Sequence, residues 1–370
     1  MNPRAVVRGG AAAVVGTAIV LTCASTALAA PVDVVTYCLP TDPGLEELSG
    51  ATVLDGTVYG IGDSGADDRV AVLDANCAVQ RWIGVPVDPY DVEDMASYDG
   101  SLWLADIGDN QLRRDTVALT RMDPATGAGE LYRLTYPDGA HDAETLLIEP
   151  GGRPVVVTKE LSGVSGVYVP AGDESVTDLS SPGPTPLRKV GDLAFTATET
   201  AGGPPFVVGS ILATGGAVSA DGSTAVVRTY TDAYVFRPPD GDVASALVDP
   251  TSPRAVFALP AQPQGEAAAF LDDGSVLLAS EAGFGPTDGT LPPILQIPNL
   301  TSVELSTPAS VSAARASPTR DPAAPAAPAA PAQTTTATDS EWEFRAAVAA
   351  GVVLIAGAVG FTVRRSMRSG

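Results

Sequence analysis

The sequence predicts an all-β fold built from repeats of one four-stranded unit. Three observations predict it. Turn dipeptides recur between apolar runs, at Asp55-Gly56, Asp99-Gly100, Gly151-Gly152, Asp221-Gly222 and Asp273-Gly274. Asp-Gly flanked by alternating apolar residues is a strong hairpin signal. The same order of elements then follows each turn, at a spacing of about 45–70 residues. No sustained helical period runs through residues 31–306. Four strands per unit at this spacing is the pattern of a single β-propeller. Five units are visible, and the long gap between the third and fourth leaves room for a sixth.

From the N-terminus, Arg4 and Arg8 precede the apolar run "AAAVVGTAIVLTCA". Ala27-Leu28-Ala29 then offers a small-x-small cleavage site. That three-part layout predicts a signal peptide over residues 1–29. The propeller occupies 31–306. Its inner hairpins are "ELSGATVLDGTVYGIGDSG", "DVEDMASYDGSLWLADIGDN", "DAETLLIEPGGRPVVVTKE", "TGGAVSADGSTAVVRTYTD" and "GEAAAFLDDGSVLLASEAG". The third strands follow as "RVAVLDA", "VALTRMDP", "GVYVPAG", "AYVFRPP" and "ILQIPN". The expected outer strands are "AVQRWIGVP", "GELYRLTYP", "PLRKVGDLAF", "RAVFALPA" and "TSVELS". Residues 307–340 are rich in Pro-Ala repeats, which favour an extended chain and cannot build a core, so they read as a stalk. Residues 346–363 carry no charge and are near the lower length limit for a membrane helix. Arg364, Arg365 and Arg368 in the tail 364–370 place that end in the cytoplasm.

The chain has 44 acidic and 21 basic residues, a formal net charge of −23. Such a surface repels nucleic acid and anionic lipid, so nucleic acid is excluded as a partner. After signal removal Cys38 and Cys77 remain. In an oxidising compartment they predict one disulfide between the first strand and the "VAVLDANCAVQRWI" segment, the alternative being two free thiols.

The acidic residues recur at two places in each unit. Aligned on their turns, Ser49-Gly50, Glu93-Asp94, Glu144-Thr145, Thr214-Gly215 and Glu266-Ala267 fall near the start of the innermost strand. The loops after the second strand supply Asp63, Asp106, Asp109, Lys159, Glu160, Arg228, Asp232 and Glu281. Both sets are expected on one face around the channel mouth. Carboxylates held that closely need cations or bases. Ca²⁺, a hard ion with several oxygen ligands, is the expected cation, with Glu93, Asp106, Asp109 and Glu144 as ligand candidates. The competing reading is structural: Asp in loops caps backbone amides, and Glu at a strand start bonds donors of the next blade. His141, the single histidine, stands beside Asp142 and Glu144, as a base or as a turn cap. One histidine and no spare cysteine pair argue against zinc. No phosphate-binding or dinucleotide fingerprint is present.

The stretches "ELSG…GDSG", "DVEDMA…DIGDN", "HDAETL", "TGGAVSADG…RTYTDAY" and "QGEAAAF", spanning Glu47–Phe270, resemble a group of secreted actinobacterial β-propeller proteins. The group is similar in broad pattern to WD40-like, phytase-like and esterase-like propellers. The phytase likeness implies Ca²⁺ held by channel carboxylates with phosphate beside it, where Lys159, Arg188, Lys189 and Arg228 are the basic residues to hand. The reading is a monomeric, membrane-anchored, extracytoplasmic binding or scaffolding module of the cell envelope. Its expected partner is an envelope protein, a glycan or a small ligand. The alternative is a Ca²⁺-dependent hydrolase of phosphomonoesters or carboxylic esters working on the acidic channel face.

Overall fold

The computed structural model describes residues 32–63, 65–283 and 289–307. The expected signal peptide, the stalk past residue 307, the membrane helix and the basic tail lie outside the described residues. Among the described residues no helix is long and apolar enough to cross a membrane.

The chain opens on β1 (Val35–Cys38). The first full sheet is β2 (Leu48–Leu54), β3 (Thr57–Gly62), β4 (Arg69–Leu73) and β5 (Val79–Gly84). The second is β6 (Val92–Tyr98), β7 (Ser101–Asp106), β8 (Val117–Met122) and β9 (Gly129–Thr135). The third is β10 (Ala143–Ile148), β11 (Pro154–Thr158), β12 (Val164–Pro170) and β13 (Thr185–Ala194). The fourth is β14 (Ala213–Val218), β15 (Ala225–Thr229), β16 (Asp232–Phe236) and β17 (Arg254–Ala258), with the short helix α1 (Val243–Val248) before its last strand. The fifth is β18 (Gln264–Phe270), β19 (Val276–Glu281) and β20 (Ile294–Ile297), completed by β1 on its outer edge. Each sheet is an antiparallel meander. A short parallel pairing of β13 with β9 joins the second and third at their outer edges.

The inner strands are largely apolar on both faces because each sheet is covered on both faces there, whereas the outermost strands β5, β9 and β13 mix buried with exposed residues. β10 and β11 are buried along their whole length, which demands continuous apolar sequence rather than alternation. Five apolar clusters fill the five gaps between neighbouring sheets. Ile61 and Val70 meet Met95 and Leu104 between the first and second. Trp103 and Leu119 meet Leu146 and Tyr168 between the second and third. Val155 and Val169 meet Val227 and Phe236 between the third and fourth. Val226 and Val235 meet Leu278 and Ile297 between the fourth and fifth. Ala267 and Leu277 return to Ala71 and Leu73, closing fifth onto first. The inner strands touch in the same order, β2 to β6 to β10 to β14 to β18 and back to β2. The fold is all-β and propeller-like, with no further sheet among the described residues in the gap between β13 and β14.

The turns follow their dipeptides. Asp55 and Gly56 have φ of 49° and 72°, and Asp99 and Gly100 have 48° and 68°, the doubly left-handed pair of a two-residue hairpin loop. The third, fourth and fifth hairpins use longer turns, with Gly152, Gly222 and Gly274 donating to the carbonyls of Glu149, Ser219 and Leu271.

One expectation is corrected. "TSVELS" is not the outer strand of the fifth sheet. Leu300–Ser302 is a 3₁₀ turn, and Ser306 makes an isolated bridge to Arg254 on β17. The edge is taken by β1 because a ring closed by a strand from the far end of the chain ties first to last. The Cys38–Cys77 disulfide reinforces that tie. Cys38 ends β1, and Cys77 lies in the turn between β4 and β5, so the bond fastens the closing strand to the first sheet.

Candidate cation site at the channel mouth

All five inner strands break register near their start. The pairing of β2 with β3 skips Ser49, that of β6 with β7 skips Glu93, and that of β10 with β11 skips Glu144. The pairing of β14 with β15 skips Thr214, and that of β18 with β19 skips Glu266 and Ala267. A bulge leaves the extra residue out of the ladder and re-aims its side chain. Five bulges at one level therefore bring Glu93, Glu144 and Glu266 together with the loop carboxylates at one end of the channel.

Oxygens of Asp63, Asp91 and Glu93 lie within 4.8 Å of one another, and so do those of Glu93, Asp142 and Glu144. Glu93 belongs to both groups. Lys159 Nζ pairs with Glu144 Oε1 and stands 5.1 Å from the centre of the Tyr230 ring. Glu281 accepts from the amide of Gln264, which also reaches Glu266 Oε1 at 3.4 Å. Glu93, Glu144, Glu266 and Glu281 are all buried. Glu144 Oε2 and Glu266 Oε2 are buried with no hydrogen-bond partner.

Burial, then mutual repulsion, disfavours the charged forms. Burial and then Glu144 push Glu93 well above the carboxylate range. Glu144 and Glu281 are raised in the same way, burial first. Asp91 is pushed up to about 8 by burial and by the charges of Asp63 and Asp142. Glu266 is raised to about 7 by burial, which Lys159 and Arg228 oppose. Burial pulls the Lys159 amine down, but Glu144 and its neighbours outweigh it and hold the amine protonated. One ammonium against this many carboxyls is a deficit of positive charge. Converging carboxylate oxygens, with Glu144 Oε2 buried and without a hydrogen-bond partner among them, suit a hard divalent cation such as Ca²⁺.

Gly108 is part of this geometry. A Cβ there would run into Glu93 Oε1 and the Asp91 carboxyl. The backbone of "DIGDN" therefore lies directly against the acids, an approach only glycine allows.

The remaining candidates take other positions. Asp94 accepts from Met95 N and, across the sheet gap, from Leu146 N, both at 2.8 Å. Ser49 and Thr214 donate to the carbonyls of Glu93 and Gly265 on the following sheets. Asp106 accepts from the amides of Tyr90 and Asp91 and binds Arg114 at 2.8 Å. Asp109 Oδ2 caps the amides of Arg113 and Arg114 at 2.7 Å, while its own amide donates to Asp142. Arg228 is fully buried and donates to the carbonyls of Ala267 and Ala279, stitching the fourth sheet to the fifth. Asp232 accepts from the hydroxyls of Thr198, Thr200 and Thr231. His141 sits outboard of the acids. Its Nε2 is 3.1 Å from Asp138 and 3.0 Å from the Tyr168 hydroxyl, and its Nδ1 is 3.4 Å from Glu160.

Asp91 and Gln264 belong to the cluster although sequence reasoning passed over them, and Asp142 enters as a member of an acidic group and not only as a neighbour of His141. Their signal was present as a repeated x-spaced pair: Asp91-Val-Glu93, Asp142-Ala-Glu144 and Gln264-Gly-Glu266.

No family model matches the chain, and no curated protein matches it. Solved structures do. The PQQ-bound aldose sugar dehydrogenase of Streptomyces coelicolor is 12% identical over 73% of this chain and 99% of that one, with a TM-score of 0.38. A luciferin-regenerating enzyme is 14% identical over 71% of this chain and 95% of that one, with a TM-score of 0.40.

Proposed function

We propose that this chain is a Ca²⁺-binding propeller displayed outside the cell as a ligand-binding module, with the cation held at the channel mouth. The observation that carries the reading is the pair of carboxylate groups sharing Glu93, beside the orphaned Glu144 Oε2. Asp63, Asp91, Glu93, Asp142 and Glu144 are the residues that would hold the ion. Bound Ca²⁺ would supply the positive charge that Lys159 alone does not, and would favour an oxygen-bearing ligand. The export signal, stalk and anchor read from the sequence support display on the cell surface, as does a disulfide, which persists in oxidising compartments.

Calorimetric titration of the purified protein with Ca²⁺, with thermal melting alongside, tests the reading. Saturable binding with a raised melting temperature, both lost in Glu93→Gln, is the expected result. No heat and no shift in the parent protein would sink it.

One observation favours hydrolysis as a second reading. His141 stands between Asp138 and Glu160, next in sequence to Asp142 of the cation group. Turnover of a phosphomonoester or carboxylic ester that is abolished by EDTA and by His141→Asn would establish it. Full turnover in His141→Asn would remove the histidine from the chemistry.

A further inference from the structure

The described residues expose eight large apolar side chains, and four of them lie on two loops that touch at Gly163. Leu161 (71% exposed) lies in the loop between β11 and β12, and Val164 opens β12. Phe206 (74% exposed) and Val208 lie in the long connection from β13 to β14. The two loops are held together. Phe195 N donates to Gly163 O at 2.9 Å where the connection begins, and a Cβ on Gly163 would touch Ile211 at 3.1 Å where it ends. Backbone bonds from Val207 to Pro204 and from Ile211 to Val208 fix the segment that carries Phe206. Gly203 N anchors the same connection to Gln262 O at 2.9 Å, at the entry to β18. These side chains are thus presented by hydrogen-bonded backbone rather than shed into solvent.

The flank of this patch is acidic. Glu160 precedes Leu161, is bridged through His141 to Asp138, and Glu199 is exposed on the connection itself. Lys159, the one cation on the β11–β12 loop, is turned inward to Glu144. An exposed apolar cluster with an acidic margin is the complement of apolar side chains interleaved with basic ones.

We propose that Leu161, Val164, Phe206 and Val208 form a docking surface for a second protein that presents Lys or Arg side chains among apolar ones. Phe206 is the anchor, since large aromatic side chains on rigid backbone carry most of an interface's affinity. The surface borders the cation site, since Lys159 of the same loop pairs with Glu144, but the residues it uses are not among those that would hold the ion, and its test does not depend on Ca²⁺.

The test uses the full protein and two synthetic peptides of equal length, one alternating Leu with Lys and one alternating Leu with Glu. Binding is compared by calorimetry between the parent and two variants, Phe206→Ser alone and Leu161→Ser with Phe206→Ser. Melting temperature and Ca²⁺ response, unchanged in all three, verify the fold. The expected result is that the Leu/Lys peptide binds the parent at least about tenfold more tightly than it binds either variant, with no binding of the Leu/Glu peptide. Equal binding of the Leu/Lys peptide to parent and variants means that acidic charge alone attracts it, and overturns the proposal. So does equal binding of both peptides. Self-association of the parent in sedimentation, lost in Phe206→Ser, would assign the surface to a second copy of this chain instead.

Discussion

Removing the cation should invert the pH dependence of stability. Glu266 titrates at about 7 in the folded protein against an ordinary 4.5, and Asp91 at about 8 against 3.8. A folded-state pKa above the unfolded one means that the native form holds its proton more tightly. That contribution is fully present below the ordinary carboxylate pKa and is lost as pH rises through about 7 for Glu266 and about 8 for Asp91. For Glu266 that difference corresponds to about 3 kcal/mol. For a domain of this size that is a fall of roughly 6–12 °C in melting temperature between about pH 5 and about pH 8. Asp91 adds to the fall in the same direction. Ca²⁺ reverses the slope, because the ion binds the ionised carboxylates that protons otherwise neutralise. Melting curves across this pH range, with EDTA and with saturating Ca²⁺, read both slopes. The metal-free protein should melt lower at the alkaline end, and the Ca²⁺-loaded protein should melt higher there. A metal-free curve that is flat or rises with pH would refute the reasoning, because the carboxyls would then be satisfied without a cation. A Ca²⁺ shift of equal size at both ends would refute it too.

Three further outcomes follow from the geometry. Gly108→Ala should weaken Ca²⁺ binding by at least about tenfold, since its Cβ would displace the Glu93 and Asp91 carboxyls; unchanged affinity in calorimetry would separate the loop from the site. Asp94→Ala removes the acceptor of the buried Met95 and Leu146 amides, and urea unfolding should show a loss of about 2–4 kcal/mol, whereas a loss below about 1 kcal/mol would mean that water replaces the carboxyl. Replacing Cys38 and Cys77 together by Ser opens a bond spanning 39 residues and should cost about 4 kcal/mol by loop entropy; an unmoved urea midpoint would show that β1 holds the ring closed without it.

Much of the fold was legible in the chain because its signals are local. Asp-Gly at two turns requires left-handed backbone at both residues, and runs such as "TLLIEP" and "PVVVTK" are apolar at successive positions, which only sheets covered on both faces accommodate. The alignment of Ser49, Glu93, Glu144, Thr214 and Glu266 was visible for the same reason, since each lies six or seven residues before its turn dipeptide. The sequence by itself therefore determined the repeated sheets, the pairable cysteines and the level at which the acids gather.

Tertiary closure decided the rest. Local sequence gives "TSVELS" and "VTYC" equal claim to an outer edge, and only the return of the fifth sheet to the first selects β1. Whether a carboxylate joins the acidic cluster or caps a backbone amide is likewise settled by what folds against it. Asp106 meets the amides of Tyr90 and Asp91 and the guanidinium of Arg114, Asp109 meets amides of its own loop, Asp94 meets an amide of the next sheet, and Arg228 meets carbonyls of the fifth. Glu93 and Glu144, displaced from their ladders by a bulge, meet chiefly other acids. A bulge is a register shift between two strands, and the convergence of five of them is a property of the ring. The same residue types at the same spacing thus acquire different chemistry once neighbouring sheets fix which carboxyls are capped by backbone amides and which are left facing other acids.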